Sequence, residues 1–190
     1  MRIWLTGGSG SGKSVVAALF EKRGFLLVDA DAISRKIAEK NTAAFREIVA
    51  AFGEAFVLPS GDLDRRALGN AVFEDAEKLA VLNGIMHKYI IAEMCRAAEG
   101  NKNVIMDAPL LNTFGVPCDK TLVVTAPECM RAARIMQRDG ITEEEAMRRI
   151  SAQVRDAEYI QNADAVLQND GDRAALEVAA EKYIKEWYTA

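Results

Sequence analysis

Apolar residues occur along this chain in short runs, separated by longer stretches in which they recur every three or four positions. Five runs have the length of buried strands, and they cover residues 3–6, 25–28, 104–106, 122–124 and 165–167. The stretches between them have helical spacing, and strands that alternate with helices are typical of a parallel sheet with crossover helices. The pattern therefore predicts an α/β fold in three layers, with about five parallel strands between helices.

Helical spacing and terminator residues divide the remaining sequence into helices. They are predicted over residues 13–22, from near Pro127, after Gly140 and over residues 173–187. Thr142 and Glu145 have the spacing of a capping box, which marks the start of the helix after Gly140. Between residues 30 and 99 the spacing predicts several helices, interrupted near residues 59–62, in a stretch too long for one crossover. We therefore expect a helical insertion at the edge of the sheet.

Composition and charge narrow the class of protein. The 190 residues are 50% hydrophobic and 27% charged, which is typical of one globular domain. The net charge of −4 disfavours a nucleic-acid partner, and the apolar runs are too short to span a membrane. The three cysteines lack CxxC spacing and there is one histidine, which disfavours a zinc site and indicates a reducing compartment. Since Met1 is followed almost at once by a glycine loop, we expect no signal peptide and a cytoplasmic protein.

The glycine loop at residues 7–14, with the sequence GGSGSGKS, fits the pattern G-x-x-x-x-G-K-[ST] in full. Glycines let the backbone turn several N–H groups towards a phosphate, and the helix that follows presents the positive end of its dipole. Lys13 can contact the β- and γ-phosphates, and the Ser14 hydroxyl can bind Mg²⁺. A flexible glycine turn is the simpler alternative, but the loop lies between a predicted strand and a predicted helix. The motif therefore indicates a nucleoside triphosphate site.

Three aspartates follow predicted strands, where ligands of open α/β sheets bind. Asp29 and Asp31 follow the second strand, and a carboxylate there can accept a proton or bind Mg²⁺. A continuing strand would direct both side chains to the same side, whereas a helix that begins at Ala30 would separate them. Asp29 is equally well interpreted as the cap of that helix. Asp107 follows the third strand, with the alternative of a turn residue before Pro109.

Arginines are concentrated between residues 131 and 155. Arg131, Arg134 and Arg138 are spaced by three and four and so share a helix face, and Arg148, Arg149 and Arg155 follow Gly140. Two such helices could close over phosphates as a lid, which would exclude water and stabilise charge on a transferring group. By charge pattern alone, the alternative of a solvated helix face is simpler, because Glu143–Glu145 and Asp156 lie nearby.

Taken in order, these segments resemble the dephospho-coenzyme A kinase family over nearly the whole chain. The segments that carry the resemblance are the glycine loop, Val28-Asp29-Ala30-Asp31, Leu63-Asp64-Arg65-Arg66-Ala67-Leu68, Val72-Phe73, Leu82-Asn83 with His87, Asp107-Ala108-Pro109-Leu110-Leu111, Arg134-Ile135-Met136-Gln137-Arg138-Asp139, Arg149-Ile150-Ser151-Ala152-Gln153, Ala163-Asp164 and Asn169-Asp170-Gly171. The resemblance implies a P-loop nucleoside triphosphate hydrolase fold. It also implies transfer of the γ-phosphoryl group of ATP to the ribose 3′-hydroxyl of dephospho-coenzyme A, the last step of coenzyme A synthesis.

The resemblance also assigns roles to residues. It implies that Asp31 is the catalytic base, that Lys13 assists the transfer, and that Mg²⁺ is held by Ser14, with Asp107 as a further candidate. The residues that it places on ATP are Gly8, Ser9, Gly10, Ser11, Gly12, Lys13, Ser14, Val15, Arg138, Asn169 and Gly171. Those that it places on the acceptor are Asp31, Arg66, His87, Asp107 and Arg149.

One kinase domain is expected over residues 1–190. The nucleotide-binding core comprises residues 1–30, 104–130 and 160–190, with an acceptor-binding insertion at 31–103 and a lid at 131–159. The partners expected are small molecules, with no nucleic acid or membrane, and the protein is expected to be a monomer or a small homo-oligomer.

Four positions depart from the family pattern. Val15 stands where the family usually has a threonine, and Lys88 stands where it usually has a proline. Asn112-Thr113 stand where a glutamate is usual, and Asp156 stands where a basic residue is usual. Two alternatives therefore stay open, namely a related nucleoside or nucleotide kinase and a catalytically weak nucleotide-binding relative. A GTP-dependent switch protein would need an N-K-x-D segment, and Asn101-Lys102-Asn103-Val104 lacks the aspartate.

Overall fold

A computed structural model describes residues 1–108 and 116–188 of the chain. Five strands lie in this part of the chain, namely β1 (Arg2–Thr6), β2 (Leu26–Asp29), β3 (Val104–Asp107), β4 (Lys120–Thr125) and β5 (Ala165–Gln168). The helices described are α1 (Lys13–Lys22), α2 (Ala30–Ile37), α3 (Ala43–Phe52), α4 (Arg65–Phe73), α5 (Ala76–Ala98), α6 (Glu128–Asp139), α7 (Glu143–Ser151), α8 (Asp156–Ile160) and α9 (Arg173–Tyr188). None of them is both long enough and apolar enough to cross a membrane.

The strands form one all-parallel sheet in the order β2-β3-β1-β4-β5, with helices on both sides. The predicted three-layer α/β fold is thereby confirmed. β1 is central, and its residues Ile3, Trp4 and Leu5 are fully buried, as expected for a strand covered on both faces. The chain order of the strands reverses at β1, and ligands of open α/β sheets bind beyond the carboxyl ends of the strands at such a point.

The described residues separate into two compact units. The core unit comprises residues 1–28, 100–108 and 117–188, and the helical unit comprises residues 29–99 with Val116. How the predicted core, insertion and lid divide the function stays a prediction.

In the core unit, α1 and α9 pack together over the sheet. Phe20 of α1 meets Phe25 edge to face at 5.0 Å between ring centroids, and Leu176 and Ile184 of α9 are buried in the same cluster. Removal of such side chains from water contributes roughly 1.5–3 kcal/mol each. Phe25, predicted as the first residue of the second strand, instead lies just before β2 and anchors the end of α1.

The pair α6 and α7 has a small apolar core of its own. Ala132 and Ile135 of α6 pack against Ala146 and Ile150 of α7. The predicted break occurs at Gly140, which ends α6 in the left-handed conformation at φ 66°. The predicted capping box between Thr142 and Glu145 is present at the start of α7. Pro127 occupies the N-cap position, one residue before α6 begins, and provides no side-chain cap.

The helical unit is built around the long helix α5. Ile48, Leu68 and Val72, from α3 and α4, are buried in one cluster with partly buried side chains of α5. The break predicted near residues 59–62 corresponds to a tight turn, which is closed by the antiparallel pairing of Val57 with Leu63. The expected series of helices between residues 30 and 99 is thereby confirmed.

Candidate active site

The glycine loop connects the carboxyl end of the central strand β1 to the first residue of α1. Two of its glycines are required by close packing. A Cβ atom on Gly7, at φ +137°, would lie 2.1 Å from the main-chain oxygen of Val124, and one on Gly12, at φ +106°, would lie 2.4 Å from Nδ2 of Asn169. A side chain would collide with the main chain at Gly7 and with the Asn169 side chain at Gly12, and the positive φ at both positions favours glycine.

The carbonyl groups of the loop are held by side chains. The donors and acceptors, with their distances, are Lys13 Nζ to Gly7 O (2.6 Å) and Gly8 O (3.3 Å), Arg131 Nε to Ser9 O (2.9 Å), Arg134 Nη1 to Gly10 O (3.1 Å) and Asn169 Nδ2 to Ser11 O (2.7 Å). Five consecutive carbonyl oxygens therefore accept a side-chain hydrogen bond. At the N-terminus of α1, Gly12 supplies no side-chain cap. The loop thus has the arrangement of an anion-binding nest ahead of a positive helix end.

Arg131, the first of the predicted lid arginines, is buried against this loop, with 3% of its surface exposed. Besides Ser9 O, its guanidinium contacts Gln153 Oε1 at 2.7 Å and Asp156 Oδ1 at 3.3 Å. A buried cation is costly unless it is paired and hydrogen-bonded, and this one is both. The solvated helix face, which was the alternative for this segment, is therefore wrong for Arg131.

The outer arginines of the segment lie in different surroundings. Arg138 donates to both carboxylate oxygens of Asp139, at 2.6 and 2.9 Å, and Arg149 donates to one of them at 2.7 Å. The side chains of Arg138 and Arg149 are 61% and 54% exposed. The hydrogen bond from Arg138 lowers the pKa of Asp139, so that its carboxylate is charged at neutral pH. Two exposed guanidinium groups are thereby held by one anion.

The three candidate aspartates have different local roles. Asp107 ends β3 and lies in register with Leu5 of β1, at the carboxyl edge that also carries the glycine loop. Asp29 ends β2 and caps α2, since its Oδ1 accepts from the N–H groups of Asp31 (2.8 Å) and Ala32 (3.1 Å). Asp31 is exposed in the first turn of α2, and its carboxylate has no hydrogen bond to the described residues. The helix that begins at Ala30 thus separates the two carboxylates.

Comparison with known proteins assigns the chain to a family. The family model for dephospho-CoA kinase matches residues 1–175. The dephospho-CoA kinase of Geobacillus kaustophilus is 39% identical over 194 residues, which covers 98% of this chain and 96% of the relative. This chain belongs to the dephospho-CoA kinase family. The crystal structure of TT1252 from Thermus thermophilus covers 98% of this chain and 97% of its own, at 34% identity and a TM-score of 0.83.

A more distant structure confirms the type of fold. The shikimate kinase of Bacteroides thetaiotaomicron is 18% identical, with a TM-score of 0.57 over 99% of this chain and 98% of its own. At this identity the likeness shows the fold alone, and that fold is the predicted P-loop kinase fold. The predicted family and its activity, phosphorylation of dephospho-CoA, are confirmed at the level of the family, and nothing favours the alternative kinase or the weak binding relative.

Three of the five residues that the family resemblance places on the acceptor, Asp31, Arg66 and His87, lie in the helical unit, and Asp107 and Arg149 lie in the core unit. Arg66 is exposed in the first turn of α4 and makes no hydrogen bond or ion pair with the described residues. His87 lies on α5, where partial burial lowers its pKa. Lys88, the departure beside it, contacts Glu47 Oε1 at 2.7 Å, and the Tyr89 hydroxyl donates to the same oxygen. The further departure at Asn112-Thr113, with Pro109-Leu110-Leu111, lies outside the described residues.

Asn169 and Gly171 follow β5, at the position that the resemblance places beside the adenine. Asn169 is buried and both ends of its amide are engaged, because Nδ2 donates to Ser11 O and Oδ1 accepts from Arg134 at 3.2 Å. Its described contacts are therefore to the glycine loop. Gly171 is exposed in the loop that leads to α9.

The residues that fix the loop from outside have no clear signal in the sequence. Gln153 and Asp156 lie at positions compared with the family pattern, and that pattern predicts no contact for either one. Helical spacing groups Arg131 and Arg134 with Arg138. Helical spacing does not show how far along the helix each arginine lies from the sheet. That distance matters, because α6 begins directly after β4 and only its first turns lie at the carboxyl edge of the sheet.

Proposed function

We propose that this member of the family transfers the γ-phosphoryl group of ATP to the ribose 3′-hydroxyl of dephospho-coenzyme A. The observation that carries the proposal is the glycine loop, whose carbonyl groups are bound from outside while α1 has no side-chain cap. Such a loop can accept a triphosphate without first rearranging its main chain. Catalysis then depends on positioning and on electrostatic stabilisation of the transferring group.

The loop supplies the contacts to the nucleotide. Main-chain N–H groups of residues 8–15 would hold the phosphate oxygens, apart from that of Ser9, which donates to Gln153 Oε1. The α1 dipole would add to their positive potential. Lys13 now donates to Gly7 O and Gly8 O, and its ammonium would turn to the β- and γ-phosphates when ATP binds. Asn169 and Gly171 would lie beside the adenine. Arg138 would contact the phosphates.

The described residues fit Mg²⁺ that arrives with the nucleotide. Ser14 presents an exposed hydroxyl in the first turn of α1, and Asp107 is the nearest strand-end carboxylate to the loop by register. Among the described residues, no cluster of three or more His, Cys, Asp or Glu side chains could bind a metal without substrate. Mg²⁺ prefers oxygen ligands and commonly keeps phosphate oxygens and waters, so that the Ser14 hydroxyl and one carboxylate such as that of Asp107 would be enough from the protein. When bound, it would neutralise the charge that develops on the phosphates.

Asp31 is our candidate for the base. Asp29 is committed to capping α2, whereas the Asp31 carboxylate is exposed and makes no hydrogen bond within the described residues. It would accept the proton of the ribose 3′-hydroxyl as the oxygen attacks the γ-phosphorus, and ADP would leave. Arg66, His87, Asp107 and Arg149 would hold the phosphates and the base of the acceptor.

The proposal includes the roles of the segments and the setting of the protein. Residues 31–103 would bind the acceptor, and residues 131–159 would close over ATP so that water is excluded. The partners would be ATP and the acceptor, without nucleic acid or membrane. The protein would work in the cytoplasm as a monomer or a small homo-oligomer.

An acceptor screen with purified protein, ATP and Mg²⁺ tests the reaction. ADP release should depend on dephospho-coenzyme A and should exceed the release with nucleosides or nucleoside monophosphates. The product should carry its new phosphate on the 3′-oxygen, which phosphorus NMR identifies. Equal turnover with a nucleoside monophosphate would contradict the assigned acceptor.

The neighbouring aspartates provide a matched pair of substitutions. Asp31→Asn should lower kcat by roughly 10²–10⁴-fold, because it removes a general base, and should leave ATP affinity nearly unchanged. Asp29→Asn should keep its activity within about twofold, because asparagine is an equally good N-cap. If the two variants lose activity equally, Asp31 has no special part in the reaction.

A further inference from the structure

Ser9 of the glycine loop is held at both of its main-chain polar groups. Its N–H donates to Gln153 Oε1 at 2.9 Å, and its carbonyl accepts from Arg131 Nε at 2.9 Å. Arg131 Nη2 donates to the same Gln153 oxygen at 2.7 Å. The three residues therefore form a closed ring of hydrogen bonds around the main chain of Ser9.

This ring is rigid because it is packed as well as hydrogen-bonded. A Cβ atom on Gly8 would lie 2.1 Å from Arg131 Nη2, and one on Gly10 would lie 2.7 Å from the carbonyl oxygen of Arg131. The loop thus lies directly on the arginine. Asp156, which stands where the family usually has a basic residue, accepts from Arg131 Nη1 and balances its charge. Hydrogen bonds in a partly buried network reinforce one another and hold its members in one arrangement.

We infer that Gln153 is a positioning residue for the nucleotide. Its side-chain oxygen takes the Ser9 N–H and thereby fixes the orientation of the peptide at the start of the phosphate-binding loop. A loop fixed in this way loses less conformational entropy when ATP binds, so that more of the contact energy appears as affinity. The inference rests on the proposed function, because it takes this loop to be the triphosphate site.

A purely structural role for Gln153 makes a different prediction. If the residue only joined the end of α7 to the rest of the core unit, its loss would lower the thermal stability and leave ATP affinity unchanged. A positioning role requires a loss of ATP affinity that exceeds any general effect. It also requires an unchanged KM for the acceptor, because the side-chain hydrogen bonds of Gln153 within the described residues go to the loop and to Arg131.

Two substitutions at this position separate the roles. Gln153→Met keeps the length of the side chain and removes the acceptor oxygen, whereas Gln153→Glu keeps an oxygen for Ser9 and Arg131. Isothermal titration of the full-length protein with ATP and Mg²⁺ should give a Kd about tenfold higher for Gln153→Met, the cost of an unpaired N–H group. Gln153→Glu should restore the wild-type Kd to within about threefold, because its carboxylate accepts the same two hydrogen bonds.

A matched control lies at the end of α8, outside the predicted lid. Gln161 is exposed, and Gln161→Met should leave the ATP Kd within about twofold of wild type. If Gln153→Met binds ATP with the same Kd as this control, the inference is overturned. This holds whatever the melting temperature of Gln153→Met. If Gln153→Met does not fold, Gln153→Asn provides the same test, since its shorter side chain withdraws the oxygen from Ser9. A wild-type protein that binds no ATP would overturn the proposed function itself.

Discussion

Arg131 and Arg138 stand on the same helix and have the same charge, yet they lie in opposite surroundings. Arg131 is 3% exposed and bound to the glycine loop, whereas the side chain of Arg138 is 61% exposed and bound to Asp139. Seven residues of helix separate them by about 10 Å along the axis. Because α6 begins at the carboxyl edge of the sheet, the first arginine reaches the loop and the last one does not.

The difference divides four of the six arginines of this segment into an inner pair, Arg131 and Arg134, and an outer pair, Arg138 and Arg149. The inner pair binds main-chain oxygens of the loop and stabilises its shape. The outer pair shares one surface carboxylate, and an exposed ion pair of this kind contributes little to stability. Of these two pairs, the outer one can therefore exchange Asp139 for the phosphates of a substrate, and the inner one cannot. The two pairs should respond differently to substitution.

Loss of Arg131 should have the largest effect. Arg131→Met removes the donor to Ser9 O and leaves Asp156 without its partner, so the free energy of unfolding should fall by about 3 kcal/mol. Chemical denaturation monitored by circular dichroism measures this loss. ATP affinity should fall with it, because the loop loses its support.

Arg23 provides the control for that experiment. Its guanidinium pairs with Glu181 on the surface of the same unit, and its side chain is 50% exposed. Arg23→Met should cost no more than about 1 kcal/mol. If both substitutions cost the same, Arg131 is not part of a supporting network.

The outer pair should show the reverse pattern. Arg138→Ala should lower kcat by about 10²-fold, as expected when a donor to the transferring group is lost. Its free energy of unfolding should change by less than about 0.5 kcal/mol, because the side chain is exposed. Arg173, which is 72% exposed and paired with Glu177 on α9, is the control, and Arg173→Ala should change neither quantity. Loss of stability without loss of kcat in Arg138→Ala would reverse our assignment of the two pairs.

Asp139 competes with the substrate for the outer pair. Asp139→Asn removes the negative charge and keeps the shape, so the guanidinium groups of Arg138 and Arg149 become easier to transfer to phosphate. An exposed ion pair is weak, and the KM for ATP should therefore fall by no more than about fivefold. Steady-state kinetics at neutral pH measures this, since the lowered pKa keeps Asp139 charged there. A raised KM would mean that Asp139 positions the arginines for ATP and does not compete with it.

The fold could largely be predicted from the sequence, because its signals are local. Five apolar runs marked the strands, Gly140 and the pair Thr142 and Glu145 marked the ends of helices, and the loop motif fixed one strand–helix connection. Asp29 shows where local signals were insufficient. Whether it caps a helix depends on where β2 ends, and that is decided by how far the strand pairs within the sheet.

Arg131, Arg134, Gln153 and Asn169 form a frame that holds the glycine loop from outside. This frame could not be predicted, because its contacts join residues far apart in the chain. Ser9 and Gln153 are 144 positions apart, and Ser11 and Asn169 are 158 apart. Helical spacing put Arg131 and Arg138 on one face, but it contains no information about which turn of a helix reaches a neighbouring loop. That depends on the register of α6 with the sheet edge, which emerges only when the core packs.

The prediction with the smallest expected effect concerns Ser11. It tests whether the frame holds the loop only through the main chain of the loop. The Ser11 hydroxyl is buried and has no hydrogen-bond partner among the described residues, although the Ser11 carbonyl is bound by Asn169. Ser11→Ala removes an unsatisfied polar atom, so the protein should be unchanged or more stable by up to about 1 kcal/mol, with unchanged ATP affinity. Ser14→Ala is the complementary change in the same loop, and it should keep stability but lower turnover if Ser14 binds Mg²⁺. A clear loss of stability in Ser11→Ala would contradict this. It would show that the shape of the loop also depends on the Ser11 side chain, and not only on main-chain contacts such as those of the inner arginines.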